Sequence, residues 1–170
     1  MTISIITPAP ATSRRGNRWT ALRWARMLRE LGHRTVIEEQ YSGRSCDVLM
    51  ALHARRSAPS IERFRREHSE TPIVVVLTGT DLYGDIRTDR QAQRSIEMAA
   101  RLILLQPLGV RELPARLRER ARVVVQSAER PRGELRPKKR VFEVCVTGHL
   151  RPVKDPLRAA WAARLLPESS

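Results

Sequence analysis

The sequence predicts an α/β fold: a Rossmann-like parallel sheet with helices on both faces. Three observations carry that prediction. Short apolar runs alternate with helical patterns along most of the chain. The run Ile73 to Leu77 is nearly all β-branched, as a strand covered on both sides should be. The intervening stretches show apolar stripes at helical spacing.

In order, Ile3 to Thr7 reads as a strand. Asn17 to Leu31 is helical, with Ala21, Trp24, Ala25, Leu28 and Leu31 on one stripe and Gly32 as its stop. Thr35 to Glu38 and Asp47 to Leu52 are the second and third strands. Ser57 to His68 is a helix expected to be capped by Ser57 or Ser60. Ile73 to Leu77 is the fourth strand, Asp89 to Ala100 a helix, and Leu102 to Leu105 the fifth strand. Val110 to Arg120 reads as a short broken helix and Arg122 to Val125 as the last strand of the unit. The stretch SAERPRGELRPKKR has two prolines, a glycine and no core pattern, which is linker composition. A new strand, Phe142 to Thr147, and a helix, Leu157 to Leu166, follow it. The expected organisation is a domain over 1–128, a linker over 129–141 and the start of a truncated second domain over 142–170.

Composition narrows the function classes. The chain has 170 residues and a formal charge of +14, with 29 of its 32 basic residues arginine. Such a field favours anionic ligands. The arginines are spread over nearly every helix, and aromatics make up only 4%, so no clustered basic patch or base-stacking surface points to nucleic acid. No apolar stretch approaches the ~20 residues of a membrane span, and Met1 to Thr7 lacks the form of a signal peptide. Cys46 and Cys145 each fall at an apolar run and are expected to be buried thiols in a cytoplasmic protein. The apolar side of 142–166, without a sheet to join, invites edge pairing into a homodimer.

Ligands of a parallel sheet sit at the carboxyl ends of its strands, so the residues just after each strand matter most. After the first strand, Pro8 to Trp24 holds no GxGxxG fingerprint. It crowds Ser13, Arg14, Arg15, Gly16, Asn17 and Arg18 at a helix start. That is either an anion or sugar site, with Gly16 allowing close backbone approach, or a sharp turn with Asn17 as N-cap. After the third strand, His53 stands beside Arg55, Arg56 and Ser57. It could bond a hydroxyl or shuttle a proton, or be a satisfied loop histidine. After the fourth, Thr78, Gly79, Thr80 and Asp81 are small and polar. Asp81 could orient a hydroxyl, act as a base or serve turn chemistry. Gln106 and Gln126 to Ser127 follow the last two strands. In the second segment, Gly148 to Pro156 joins strand to helix as an anion cradle, with Arg151 and Lys154 adding charge. No Walker A loop, GxSxG elbow or metal spacing is present.

These stretches together resemble GT-B-fold glycosyltransferases of the family 4 type. More narrowly, ITPAP, GNRWTALRWARML, ELGH, CDVLMALHARRS, TGTDLY and VTGHLRPVKDP resemble the selenosugar synthases of selenoneine biosynthesis. The resemblance implies the N-terminal domain of a GT-B fold and transfer of a sugar from a UDP-sugar to selenophosphate. It implies no cofactor beyond the donor substrate and no protein-bound metal. It implies that His53 and Asp81 are the catalytic pair facing the cleft, and that Gly16, Arg151 and Lys154 bind the donor diphosphate. Arg14, Arg15, Asn17, Arg18, Arg55 and Arg56 would hold the anionic acceptor. The paired glutamates of the family's donor domain have no counterpart in context: Glu30/Glu38 and Glu62/Glu70 have the spacing but lie in the first domain. The expectation is therefore an N-terminal portion with little activity alone. The alternatives are a GT-B enzyme with another acceptor and a non-catalytic phosphate- or nucleotide-binding module.

Overall fold

A computed structural model describes residues 1–13, 16–128, 133, 143–148, 150 and 154–166. The chain divides into two compact units, Met1–Ala128 and Glu129–Ser170.

The first unit is a six-stranded sheet, parallel throughout, in the order β2-β1-β3-β4-β5-β6. The strands are β1 (Thr2–Ile6), β2 (Arg34–Glu38), β3 (Val48–Leu52), β4 (Ile73–Leu77), β5 (Arg101–Leu104) and β6 (Ala121–Val123). The helices of this unit are α1 (Gly16–Glu30), α2 (Ala58–Glu67), the single turn α3 (Ile86–Thr88) and α4 (Arg90–Met98). The sheet grows outward in both directions from β1 and β3. Right-handed crossovers that run in opposite directions place their helices on opposite faces. Accordingly Ile3 and Ile5 pack with Ala21, Trp24 and Ala25 of α1, whereas Leu49, Ala51, Ile73 and Val75 pack with Ile61 and Phe64 of α2 and Ile96 of α4. The period-2 alternation of strand side chains sorts the two cores. The core is aliphatic: its fully buried large residues are Leu and Ile apart from Phe64. The fold is thus the α/β, Rossmann-like sheet the sequence predicts.

Several boundaries differ, each for a local reason. Asn17 lies inside the first turn of α1, which begins at Gly16. Gly32 (φ 83°) does stop that helix, and His33 N donates to Leu28 O at 3.0 Å. Ser57 occupies the N-cap of α2 but does not cap it with its side chain. Its hydroxyl donates backwards to Leu52 O at 2.7 Å, and Ser60 Oγ accepts from Tyr41 N at 3.0 Å. Asp89 is the side-chain cap that forms, accepting from Ala92 N at 2.8 Å. The broken helix is two 3-10 segments, Pro107–Glu112 and Ala115–Arg120, parted by Pro114. The last strand ends at Val123, although Val124 N still donates to Leu104 O. Residues 81–88, which fall between the predicted strand 73–77 and helix 89–100, coil into a π-helical turn, Asp81–Asp85, followed by α3.

In the second unit the helix forms as α5 (Arg158–Ala163), held at its start by Asp155, whose Oδ2 accepts from Arg158 Nε at 2.6 Å. The expected strand does not. Residues 143–147 have no ladder partner among the described residues, and Val144 and Val146 are exposed. A lone strand leaves its backbone groups to water and buries nothing, so nothing holds it in a pleat. Cys145 is likewise exposed rather than buried, and Cys46 is half-buried; neither forms a disulfide. No helix among the described residues is long and apolar enough to cross a membrane.

Candidate functional site

The order β2-β1-β3 makes the gap between β1 and β3 the switch point of the sheet. Chains leave its carboxyl edge in opposite directions there and open a crevice. Register sets Ile6 beside Ala51, so Thr7 and His53 continue adjacent strands into that edge. Thr7 is fully buried, and its Oγ1 meets no hydrogen-bond partner among the described residues.

His53 is the hub of the next strand mouth. Its N–H donates to Val76 O at 2.9 Å, which continues the β3–β4 ladder by one residue. The backbone then turns through φ 73°, a left-handed conformation unusual for a non-glycine residue. The imidazole is only 3% exposed. Arg56 N–H donates to Nδ1 at 3.4 Å, so the neutral ring carries its proton on Nε2 and donates it to Thr80 Oγ1 at 3.1 Å. Burial pushes the imidazole below the ordinary histidine range. Asp81 and Asp85 oppose that shift, and Arg56 and Arg55 reinforce it. Neutral His53 is therefore the form present at neutral pH.

Asp81, expected to be catalytic with His53, is beside it but fully buried and heavily engaged. Its Oδ1 accepts from Thr78 N at 2.9 Å and Gly79 N at 3.0 Å, with Thr78 Oγ1 farther off at 3.5 Å. Its Oδ2 accepts from Ala54 N at 2.9 Å and lies 4.0 Å from His53 Nδ1. A carboxylate with three backbone donors ties the β3 and β4 loops together and orients the histidine; it has no free direction in which to meet a substrate proton.

Asp85 is the residue that sequence reasoning missed. It sits four residues after Asp81 in the π-helical turn, and its Oδ2 lies 3.0 Å from Arg55 Nε and 3.9 Å from His53 Nε2. The Asp–x–x–x–Asp spacing was visible in the sequence, but only a helical reading of 81–85 would have put both carboxylates on one side. Arg55 is about half-exposed and reaches the crevice from the residue after Ala54.

The other expected residues are placed as follows. Gly16 opens α1, and no atom of the described residues lies within 4 Å of where a Cβ would stand. Asn17 and Arg18 are half-buried in the first turn of α1, and Arg18 Nε meets no hydrogen-bond partner among the described residues. Gln126 Nε2 donates to Thr20 Oγ1 at 2.9 Å and Arg23 Nε donates to Ser127 Oγ at 3.0 Å, so the segment after β6 returns to the start of α1. Gln106 bonds Tyr83 Oη. Arg56 is exposed. Arg14, Arg15 and Arg151 lie outside the described residues, and Lys154 is an exposed residue of the second unit.

The arrangement can bind an oxyanion through Arg55 and meet a hydroxyl with the exposed Thr80, with the buried His53 behind it. Among the described residues no group of three or more His, Cys, Asp or Glu side chains has the arrangement of a metal site. An open hollow of about 590 Å³ lies elsewhere, over α4, with Arg90, Arg94 and Arg116 on its rim. It is open and lined by none of the residues that follow β1, β3 and β4 directly, so the strand mouths remain the better candidate. No protein-family model matches the chain, and no curated protein matches it either.

Proposed function

We propose that the chain is the acceptor-side part of a GT-B-type glycosyltransferase that transfers a sugar from a UDP-sugar to selenophosphate. The observation that carries the reading is the convergence of His53, Thr80, Arg55 and Asp85 at the carboxyl edge of β3 and β4, beside the switch point. It offers one guanidinium for an oxyanion and neutral hydrogen-bonding groups for sugar hydroxyls. The sequence resemblance supplies the chemistry. The selenium of selenophosphate attacks the anomeric carbon, the carbon–selenium bond forms, and the carbon–oxygen bond to UDP breaks. Charge accumulates on the departing UDP, where Arg151 and Lys154 would stabilise it electrostatically. Ionised selenium is already a good nucleophile, so the reaction needs no strong base at the mouth. That agrees with an Asp81 spent on backbone donors and a His53 that is a weak base. Arg55 neutralises the acceptor. The same reading places the protein in the cytoplasm, where sugar nucleotides are made. Pairing of two copies through 142–166 belongs to it too: Val144, Trp161 and Leu165 are exposed there, and sedimentation velocity tests it.

The test is calorimetric titration of the chain with selenophosphate, followed by mass spectrometry of products formed with UDP-glucose or UDP-N-acetylglucosamine. Selenophosphate should bind, and Arg55→Met should weaken it roughly tenfold, the order of one charge-assisted contact. A selenosugar among the products identifies the donor. Absence of selenophosphate binding overturns the reading. Binding of UDP or phosphate with no preference for selenophosphate favours the second one, a non-catalytic phosphate-binding module, which the engagement of Asp81 also suits.

A further inference from the structure

One oxygen, Asp85 Oδ2, faces the Arg55 guanidinium and the neutral His53 ring. Arg55 Nε is 3.0 Å away and His53 Nε2 is 3.9 Å away. The oxygen is buried, and its ion pair with Arg55 is the close contact that favours the charged guanidinium. The Arg55 side chain is 43% exposed, that of Asp85 22% and that of His53 3%. Of the three, Arg55 is thus the one free to turn outward. The charged groups facing His53 are Asp81 and Asp85 from the β4 side and Arg55 and Arg56 from the β3 side. Asp81 is fixed by its backbone donors, and Arg56 has its own side chain in solvent.

We propose that Asp85 is a shared counter-ion: an oxyanionic ligand that draws Arg55 off Asp85 leaves this carboxylate to His53, which then takes up a proton. The inference rests on the reading of the mouth as an oxyanion site and adds a consequence to it. The proton comes from solvent and lands on Nδ1, since Nε2 already carries one towards Thr80. Nδ1 then faces Asp81 Oδ2 at 4.0 Å, and the amide of Arg56 gives up its acceptor. Asp85 is a positioning residue in this scheme, acting through His53. Binding of a phosphate-like acceptor would convert His53 from a neutral group into a cation at the strand mouth, able to donate two hydrogen bonds. The device couples proton uptake to ligand binding, by moving the His53 midpoint upwards at a given pH.

The test is NMR titration of the histidine ring signals of the full chain. Sulfate serves as the oxyanion because it does not itself titrate in the histidine range, with sodium chloride at matched ionic strength as control. His53→Gln assigns the signal among the four histidines. Sulfate should raise the His53 midpoint by about one unit, a tenfold gain in proton affinity and the low end for gaining a close opposite charge. Arg55→Met should raise it without sulfate and remove most of the response. Asp85→Asn should lower it and also remove the response. Sulfate that perturbs the Arg55 Nε signal while His53 stays put overturns this inference alone, as does Arg55→Met without a rise. Sulfate that leaves Arg55 unperturbed overturns the oxyanion reading and this inference with it.

Discussion

Asp81→Asn separates a scaffolding carboxylate from a catalytic one. The side chain is fully buried and accepts three backbone hydrogen bonds, from Thr78 N, Gly79 N and Ala54 N, all between 2.9 and 3.0 Å. In asparagine one oxygen survives. With that oxygen kept towards Thr78 and Gly79, the new amide nitrogen points its hydrogens at Ala54 N–H, donor against donor. One charge-assisted hydrogen bond is lost outright, two become neutral, and a buried N–H is left unmet. Hydrogen bonds to charged groups contribute about 1.5–3 kcal/mol each, and an unmet buried donor costs about 1–3 kcal/mol. The expected loss is therefore about 2.5–6 kcal/mol, a large part of the roughly 5–15 kcal/mol stability of a domain this size. Urea unfolding followed by tryptophan fluorescence measures it. A Trp161→Phe background keeps the second unit silent, so that Trp19 and the buried Trp24 report on the sheet unit. Asp85→Asn is the control: its partly exposed ion pair should account for less than about 1 kcal/mol. A loss below about 0.5 kcal/mol for Asp81→Asn would refute the staple and return Asp81 to the catalytic role expected from the sequence.

Three further outcomes follow from the same geometry. His53 is held below its ordinary 6.5 by burial, so the unfolded chain binds the proton more readily. Stability should then fall as pH drops below 6.5 and level off below the folded-state value, and His53→Gln should flatten that slope in urea midpoints measured across this range. Gly79 has φ 125° and nothing within 4 Å of a built Cβ, so Gly79→Ala should cost about 1–3 kcal/mol through backbone strain alone, seen as a lower thermal midpoint with unchanged folded spectra. Tyr41 Oη lies 2.8 Å from His68 Nε2 in a half-buried contact that pins the loop after β2 to the end of α2; Tyr41→Phe should cost about 1 kcal/mol and speed amide exchange in 39–47.

What the sequence made legible was whatever depends on residues near in the chain. The β-branched run 73–77 and the stripe Ala21, Trp24, Ala25 announce a covered strand and the helix that covers it, because burial imposes a period. His53 could be placed at a strand mouth for the same reason: it is the first polar residue after an apolar run. The parts that stayed hidden depend on distant partners. Ser57 looks like a cap, yet its hydroxyl goes to Leu52 O, five residues back, because the left-handed turn at His53 brings that carbonyl within reach. DLYGD has no helical stripe, since a π-helical turn has the wrong period and buries only Asp81 and Leu82. Asp85 went unnoticed with it. The strand expected at 142–147 has the right composition, but a strand is made by its neighbour, and the described residues supply none.

The strain at His53 and the burial of Asp81 are two halves of one arrangement. For β3 to end at the switch point and α2 to begin at Ala58, the chain must reverse within five residues. The φ of 73° at His53 does this, at a cost of order 1 kcal/mol for a non-glycine residue. The reversal aims Ala54 N–H at Asp81 and lets Ser57 reach Leu52 O, two buried hydrogen bonds that together exceed the strain. A glycine at position 53 would make the turn without strain, but it would place no imidazole there. The conformation therefore fixes the direction of a buried histidine: Nε2 faces Thr80 and Asp85, and Nδ1 faces the Arg56 amide and Asp81. A strained backbone, a ring contacted on both nitrogens and a partly exposed Arg55 next door make 53–56 with 78–85 the segment where mutations should separate the proposed oxyanion binding from stability.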